Sequence, residues 1–339
     1  MMDRREFLAS STVWAAAPAS PLRIAFLGAG HSHAFEKAKV VRESRDYELA
    51  GVWDEDPAVR TRFEQAGVKL LSRDAILSDA SIPVVAVESA VKDHAAHARM
   101  ALEAGKHVHL EKPPSTKLAS FRSLSALAVR KRLRLQMGYM WRYHPGINTA
   151  LDAARKGWLG DVFLVRGTIN TLIPRERRSE FAMFRGGQMF ELGCHLIDPM
   201  VRLLGPPRAV TPFLRRHGGV SDALADNTAA VFDYGRVLGI VSSSTLEPGA
   251  NRHRAFEIFG SDGAAVVRPL EPPQLEIDLE KAAGPYAAGI QRPKLAPFRR
   301  YVADFAELAE AIRTDRPLAV TPEEDLIVHE ALLGASQMR

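Results

Sequence analysis

At 339 residues, with 46% hydrophobic and 25% charged residues, the chain has room for two globular domains with separate cores. Its net charge is +5, but the basic residues are dispersed and no aromatic platform or known nucleic-acid motif accompanies them, so nucleic-acid binding is not expected. Cys194 is the single cysteine, which excludes an intrachain disulfide and a cysteine metal cluster.

Residues 1–20 differ in character from the rest of the chain. Arg4-Arg5 precedes Phe7-Leu8, an alanine-rich run and the small-residue stretch Ala17-Pro18-Ala19. This resembles a twin-arginine export signal, so export to the periplasm is expected, with a mature chain beginning near Ser20; otherwise the protein is cytoplasmic. No later stretch reaches the roughly 18 consecutive apolar residues that span a bilayer, and membrane insertion is not expected.

Leu22 to Leu27 reads as a buried parallel strand, closed by the turn Gly28-Ala29-Gly30-His31-Ser32-His33 and followed by helical spacing through Val41. In a dinucleotide fold the first glycine permits the turn and the second admits the pyrophosphate. The third lets helix pack on strand, and here His33 takes that place. Glu48 to Trp53 reads as a second strand. Asp54 follows it, about where a carboxylate binds ribose hydroxyls and repels a 2′-phosphate, which favours NAD over NADP. Asp54 to Pro57 also suits a helix cap, with Asp56 capping and Pro57 opening the helix. A helix from Val59 to Ala66 and a short strand from Val68 to Leu71 come next. The strand Pro83 to Val87 ends at Glu88-Ser89, and His94 opens a helix that Gly105 terminates. His107 to Leu110 is then a strand that Pro113-Pro114 forbids to continue, leaving Lys112 at its carboxyl end, the ligand-binding edge of open α/β sheets. The alternation of strands and helices predicts a doubly wound parallel sheet.

The Gly-x-Gly turn, Asp54, His94 before an alanine-rich helix, and Gly-Lys-His-Val-x-x-Glu-Lys-Pro at residues 105–113 together resemble one family. It is the glucose–fructose oxidoreductase, inositol dehydrogenase and rhizopine-catabolism (Gfo/Idh/MocA) family. The resemblance implies an α/β protein with a Rossmann domain at residues 21–145. An α+β domain with a large open, mainly antiparallel sheet would follow at residues 146–339, its last helix able to pack back on the first domain. It makes Lys112 the active-site lysine. It also implies cofactor contacts from Gly28, Gly30, His31, His33, Asp54, Glu88, His94, Glu111 and Lys112. His33 and the pair Glu88-Ser89, where many members have Thr-Pro, depart from the pattern.

A helix from Leu118 to Lys131 leads to the strand Leu133 to Gly138 and then to Tyr139-Met140-Trp141-Arg142-Tyr143-His144. In the family this exit lines the cleft, so Tyr139, Arg142 and His144 are candidate substrate contacts; an aromatic-rich strand end is also core material. A helix from Ile147 to Gly157 and a strand from Val162 to Thr171 precede the polar stretch Pro174 to Arg185, expected to run over the cleft. In the helix after it Glu191, His195 and Asp198 stand at i, i+4 and i+7, on one face. Two carboxylates and one histidine match no zinc motif, and no metal is expected. The family pattern Gly-Gly-x-x-x-Asp-x-Gly-x-His-x-x-Asp fits residues 186–198 with Glu191 for the first aspartate. It gives His195 the catalytic histidine's place, Glu191 a catalytic one and Asp198 a substrate contact. From Val210 to Pro269 five strands are predicted, and Asp226-Asn227 and Arg252-His253-Arg254 look structural. Residues 270–297 read as no element, and helices from Tyr301 and after Thr321 complete the chain.

These observations imply an NAD-dependent oxidoreductase acting on a sugar, cyclitol or related polyol, assembled as a homodimer or homotetramer through the C-terminal sheet. His195 or Lys112 would take the hydroxyl proton, with the Lys112 pKa lowered by desolvation and a protonated His195. Two other readings stay open: a glycosidase that oxidises its sugar transiently with NAD, and a non-catalytic sugar- or NAD-binding protein.

Overall fold

The computed structural model describes residues 20–339; the twin-arginine leader lies, apart from Ser20, outside the described residues. Strands β1 (Leu22–Leu27), β2 (Tyr47–Trp53), β3 (Val84–Val87), β4 (His107–Leu110) and β5 (Leu135–Met137) form a parallel sheet in the order β2-β1-β3-β4-β5. Helices α1 (Ala34–Glu43), α2 (Pro57–Gln65), α3 (Arg73–Ser78), α4 (His94–Glu103) and α5 (Leu118–Arg130) connect and cover these strands. Ile24 to Leu27 and Val84 to Val87 have no exposed surface, which is why both strands are unbroken apolar runs.

The chain steps from β1 to β2 on one side and to β3 on the other, so the exits of β1 and β3 flank a topological switch point. Gly28 is obligatory there. Its φ is +79°, and an added Cβ would stand 2.4 Å from that of Ser89. Asp56 caps α2 by accepting from the Ala58 N–H, with Pro57 in the first turn, as the sequence predicts. The strand expected at Val68 to Leu71 reduces to a single bridge, Val52 to Leu70. Ser72 then caps the unforeseen α3.

After α6 (Pro145–Arg155), a second sheet contains β6 (Val162–Thr168), β7 (Ala209–Arg215), β8 (Asn227–Asp233), β9 (Leu238–Ser244), β10 (Ala255–Gly260), β11 (Gly263–Val267), β12 (Leu275–Leu279) and β13 (Gly289–Gln291). Its order is β13-β12-β11-β10-β6-β9-β8-β7, antiparallel except between β6 and β9. The last two strands occupy the segment where the sequence shows no element. Helices α7 (Arg178–Ala182), α8 (Cys194–Leu204), α9 (Val302–Arg313) and α10 (Pro322–Ala335) complete the fold. Val165, Ala230, Phe232 and Val241 bury one face of the sheet, while Phe213 and Leu238 remain about half exposed at 45% and 48%.

The C-terminal helices return to the first sheet. Tyr47 donates its hydroxyl to the Phe305 carbonyl at 2.9 Å, and the Gln136 amide donates to that of Asp304 at 3.0 Å. The Phe121 and His329 rings meet edge to face, joining α5 to α10. No helix among the described residues is long and apolar enough to cross a membrane.

Candidate active site

Lys112 leaves the end of β4 with 1% of its surface exposed and its following peptide bond to Pro113 cis. Its ammonium donates to Glu191 Oε1 at 2.7 Å and to the Glu191 carbonyl at 3.0 Å. One residue from each sheet's domain therefore meets across the cleft. Glu191 lies in a π-turn, Met189–Gly193, immediately before α8. Such turns recur at functional sites because one wider turn re-aims a side chain.

The π-turn also corrects the single helical face predicted for Glu191, His195 and Asp198. Glu191 turns to Lys112, whereas Asp198 takes the Arg142 guanidinium at 2.8 and 3.0 Å and lies 3.8 Å from Arg202. Arg142 also pairs with Asp325 of α10. Arg142 and Asp198 are thus a buried ion-pair network tying the first domain's exit to α8 and α10, and neither is free to contact substrate. His144 is structural too: Nδ1 accepts from the Ile147 N–H to cap α6, and Nε2 lies 2.6 Å from the Leu270 carbonyl. Tyr139 keeps its candidacy, because its buried hydroxyl has no partner and its ring centroid is 6.5 Å from that of His195.

His195 is 1% exposed, and neither ring nitrogen has a hydrogen-bond partner. A buried imidazole left this way awaits a polar group. Burial, followed by the Lys112 charge, holds its pKa well below the ordinary value, so it is neutral. Burial opposes the charge on Lys112, but Glu191, Cys194 and Glu111 together outweigh it and hold the ammonium pKa above its ordinary value. Burial would raise Glu191, yet Lys112 and His31 bring it down to about 2. The lowered lysine pKa and protonated histidine expected from the sequence are both reversed, since Glu191 neutralises the charge that was to act between them.

Around the glycine turn, Asp54 accepts from the Ala29 N–H at 2.6 Å and the Asp56 N–H at 2.8 Å. Gly30 is open: an added Cβ would come no nearer than 3.7 Å to Asp54 Oδ2. The N-cap of α1, His33, makes no side-chain cap bond, so the first-turn amides face the turn without one. This cradle fits a dinucleotide, with Asp54 at the ribose and the start of α1 at the pyrophosphate. His31 Nε2 lies 3.4 Å from Glu191 Oε1 and His33 Nδ1 3.3 Å from Glu111 Oε2. Burial lowers the His33 pKa to about 3 despite Glu111.

Three predicted cofactor contacts lie behind the cleft wall. His94 is fully buried, its nitrogens 2.7 Å from the Pro113 carbonyl and 2.9 Å from that of Ser89, and it positions both strand ends. Glu88 and Glu111 also have no exposed surface. Both bind Lys37, a residue the sequence reading missed: its ammonium is 2.7 Å from Glu88 Oε1 and also pairs with Glu111. The signal was available, since Ala34, Lys37, Ala38 and Val41 form the buried stripe of α1. Burial and the Glu111 charge push the Glu88 pKa well up, leaving Glu111, which has the Lys112 N–H and His33 as well, as the ionised partner of Lys37.

A cavity of about 190 Å³ adjoins the ion pair, lined by Gly30, His31, Ala90, Arg177, Phe181 and Glu191. Part of its cover is α7, in the stretch expected to run over the cleft. A larger cavity of about 400 Å³, between α5 and residues 315–322, holds none of the groups gathered around Lys112.

Residues 22–139 match the model of an oxidoreductase family with an NAD-binding Rossmann fold, and residues 147–266 match the GFO/IDH/MocA C-terminal domain. The chain belongs to the Gfo/Idh/MocA oxidoreductase family. An uncharacterized oxidoreductase of Rhizobium meliloti is 30% identical to this member over 80% of the chain and 82% of the relative. A scyllo-inositol 2-dehydrogenase (NADP(+)) of Bacillus subtilis is 24% identical over 93% of each chain. Among solved structures, GenD2 from gentamicin A biosynthesis, in complex with NAD, superposes with a TM-score of 0.79 at 24% identity over 95% of each chain. An aldose-aldose oxidoreductase from Caulobacter crescentus, complexed with glycerol, has the same TM-score at 21% identity, covering 94% of this chain and 98% of that one. At these identities the structural likeness establishes the fold.

Proposed function

We propose that this family member is an NAD(P)-dependent oxidoreductase that interconverts a secondary alcohol and a ketone on a sugar, cyclitol or related polyol. The observation that carries the reading is the buried Lys112–Glu191 pair beside an unpartnered, neutral His195 at the switch-point edge of the parallel sheet. A bound nicotinamide ring supplies the hydride acceptor. In oxidation His195 would take the substrate's O–H proton as the C–H hydride departs to the acceptor that a bound nicotinamide would supply. Lys112 remains an ammonium and steadies the oxygen as it gains charge, an electrostatic role strengthened by exclusion of water. Glu191 orients Lys112. The role of proton acceptor, left open between two residues in the sequence, goes to His195, because Lys112 is already protonated.

The relatives named for inositol and aldose substrates support the substrate class. Asp54 favours NAD, since a carboxylate beside the ribose repels the 2′-phosphate of NADP. The half-exposed Phe213 and Leu238 support assembly of a homo-oligomer through the second sheet. Export through the twin-arginine leader would require the cofactor to travel bound, because free dinucleotide is scarce outside the cytoplasm. Mass spectrometry of denatured purified protein tests the reading at its base and is expected to release NAD(H). Absence of bound dinucleotide, together with no binding of added NAD or NADP by calorimetry, overturns it.

A further inference from the structure

The cleft wall holds a second group of side chains that hydride transfer does not require. His31 and His33 stand two residues apart on the turn into α1, and Glu111 follows the end of β4 beside them. His33 Nδ1 is 3.3 Å, and His31 Nδ1 4.0 Å, from the same Glu111 oxygen, Oε2. The three potential donor atoms all lie within 4.8 Å of one another. A divalent cation such as Zn²⁺ holds nitrogen and oxygen ligands at about 2.0–2.2 Å, which spaces neighbouring donors roughly 3–3.5 Å apart. A side-chain adjustment of about 1 Å closes this trio around an ion.

The surroundings suit that use. Were His31 to bind through Nδ1, its Nε2–H would donate to Glu191 Oε1, 3.4 Å away, the carboxylate–histidine–metal arrangement that fixes a ligating imidazole. Glu111 Oε1 is already held by the Lys112 N–H at 2.9 Å. Lys37 pairs with the same Oε2, so a cation there must displace its ammonium, which would be left on Glu88 Oε1, now 2.7 Å away. A two-histidine, one-carboxylate set with open positions is a recurrent transition-metal site. His33 stands where the dinucleotide fingerprint ordinarily has a glycine, with ordinary helical backbone angles.

We propose that His31, His33 and Glu111 bind one first-row divalent transition-metal ion. Its remaining positions open toward the cavity lined by His31 and Glu191, where paired oxygens of a polyol or hydroxyketone would coordinate. The site does not rest on the hydride-transfer reading, and its test needs no turnover.

Untagged full-length protein, stripped with a chelator, is titrated with Co²⁺ while the visible d–d absorption is followed, and with Zn²⁺ by calorimetry. One ion per chain is expected. His31→Ala and His33→Gly should each weaken binding at least tenfold, and Glu191→Gln, which removes the outer carboxylate, by about 10–100-fold. Since Glu111→Gln also disturbs the Lys37 pair, the two histidine variants carry the test, with circular dichroism and thermal melts verifying that they fold. Failure of the wild type to take up a stoichiometric ion overturns the proposal, as does unchanged affinity in both folded histidine variants.

Discussion

Replacing Lys112 by methionine removes the ammonium and keeps most of the stem. In the wild type that ammonium, 2.7 Å from Glu191 Oε1, is the largest influence lowering the Glu191 pKa from 4.5 to about 2. At 1.36 kcal/mol per pH unit, the drop corresponds to about 3 kcal/mol of stabilisation at neutral pH. The folded pKa lies below the unfolded one, so this contribution is complete above about pH 5 and is lost as the pH falls toward 2. About 2 kcal/mol of it has gone by pH 3. Urea unfolding of both proteins at about pH 7 and pH 3 measures the difference: Lys112→Met should be less stable at neutral pH by an amount that shrinks by about 2 kcal/mol at the lower pH. Comparing the two proteins cancels the other carboxylates. The same variant should lose on the order of 10²–10⁴ in turnover on a substrate that the wild type oxidises. Parallel pH dependences would refute the coupling of Lys112 to Glu191, and wild-type turnover would refute its part in the reaction.

Lys37→Met leaves the ionised Glu111 buried without its cation and should cost about 3–5 kcal/mol in urea unfolding, part of which Lys37→Met/Glu111→Gln restores. Equal stability of the single variant and wild type would mean that the lysine is dispensable. Asp54→Ala should weaken NADH binding, followed by fluorescence titration, and narrow the preference over NADPH; an unchanged ratio of affinities would count against a ribose role for this carboxylate.

The site was legible where a local signal met a rigid element. Gly28, Asp56-Pro57 and Gly105 each name a backbone need that short-range chemistry reveals. Lys112 was legible because two prolines stop its strand at the sheet's binding edge. Arg142, His144 and Asp198 were misassigned for a shared reason. A polar side chain at a strand end or helix start looks alike whether it faces a cleft or a partner, and their partners lie 56, 126 and 183 positions away in sequence. The π-turn at Met189–Gly193 changes the helical phase without leaving a periodicity to read. β12 does alternate, Leu275-Glu276-Ile277-Asp278-Leu279, but stands as five residues within a stretch rich in proline, glycine and alanine, and β13 has only three residues.

The return of α9 to the first sheet bears on the order in which this protein can be made. The Tyr47 hydroxyl finds its acceptor at Phe305, the Gln136 amide at Asp304 and Glu307, and Asp46 finds Arg313, all on α9. A ribosome has emitted all five strands of the parallel sheet long before these partners exist. The nascent sheet therefore carries unsealed polar ends until the final helices arrive, and a cut between the two family domains would leave the first half with those ends open to water.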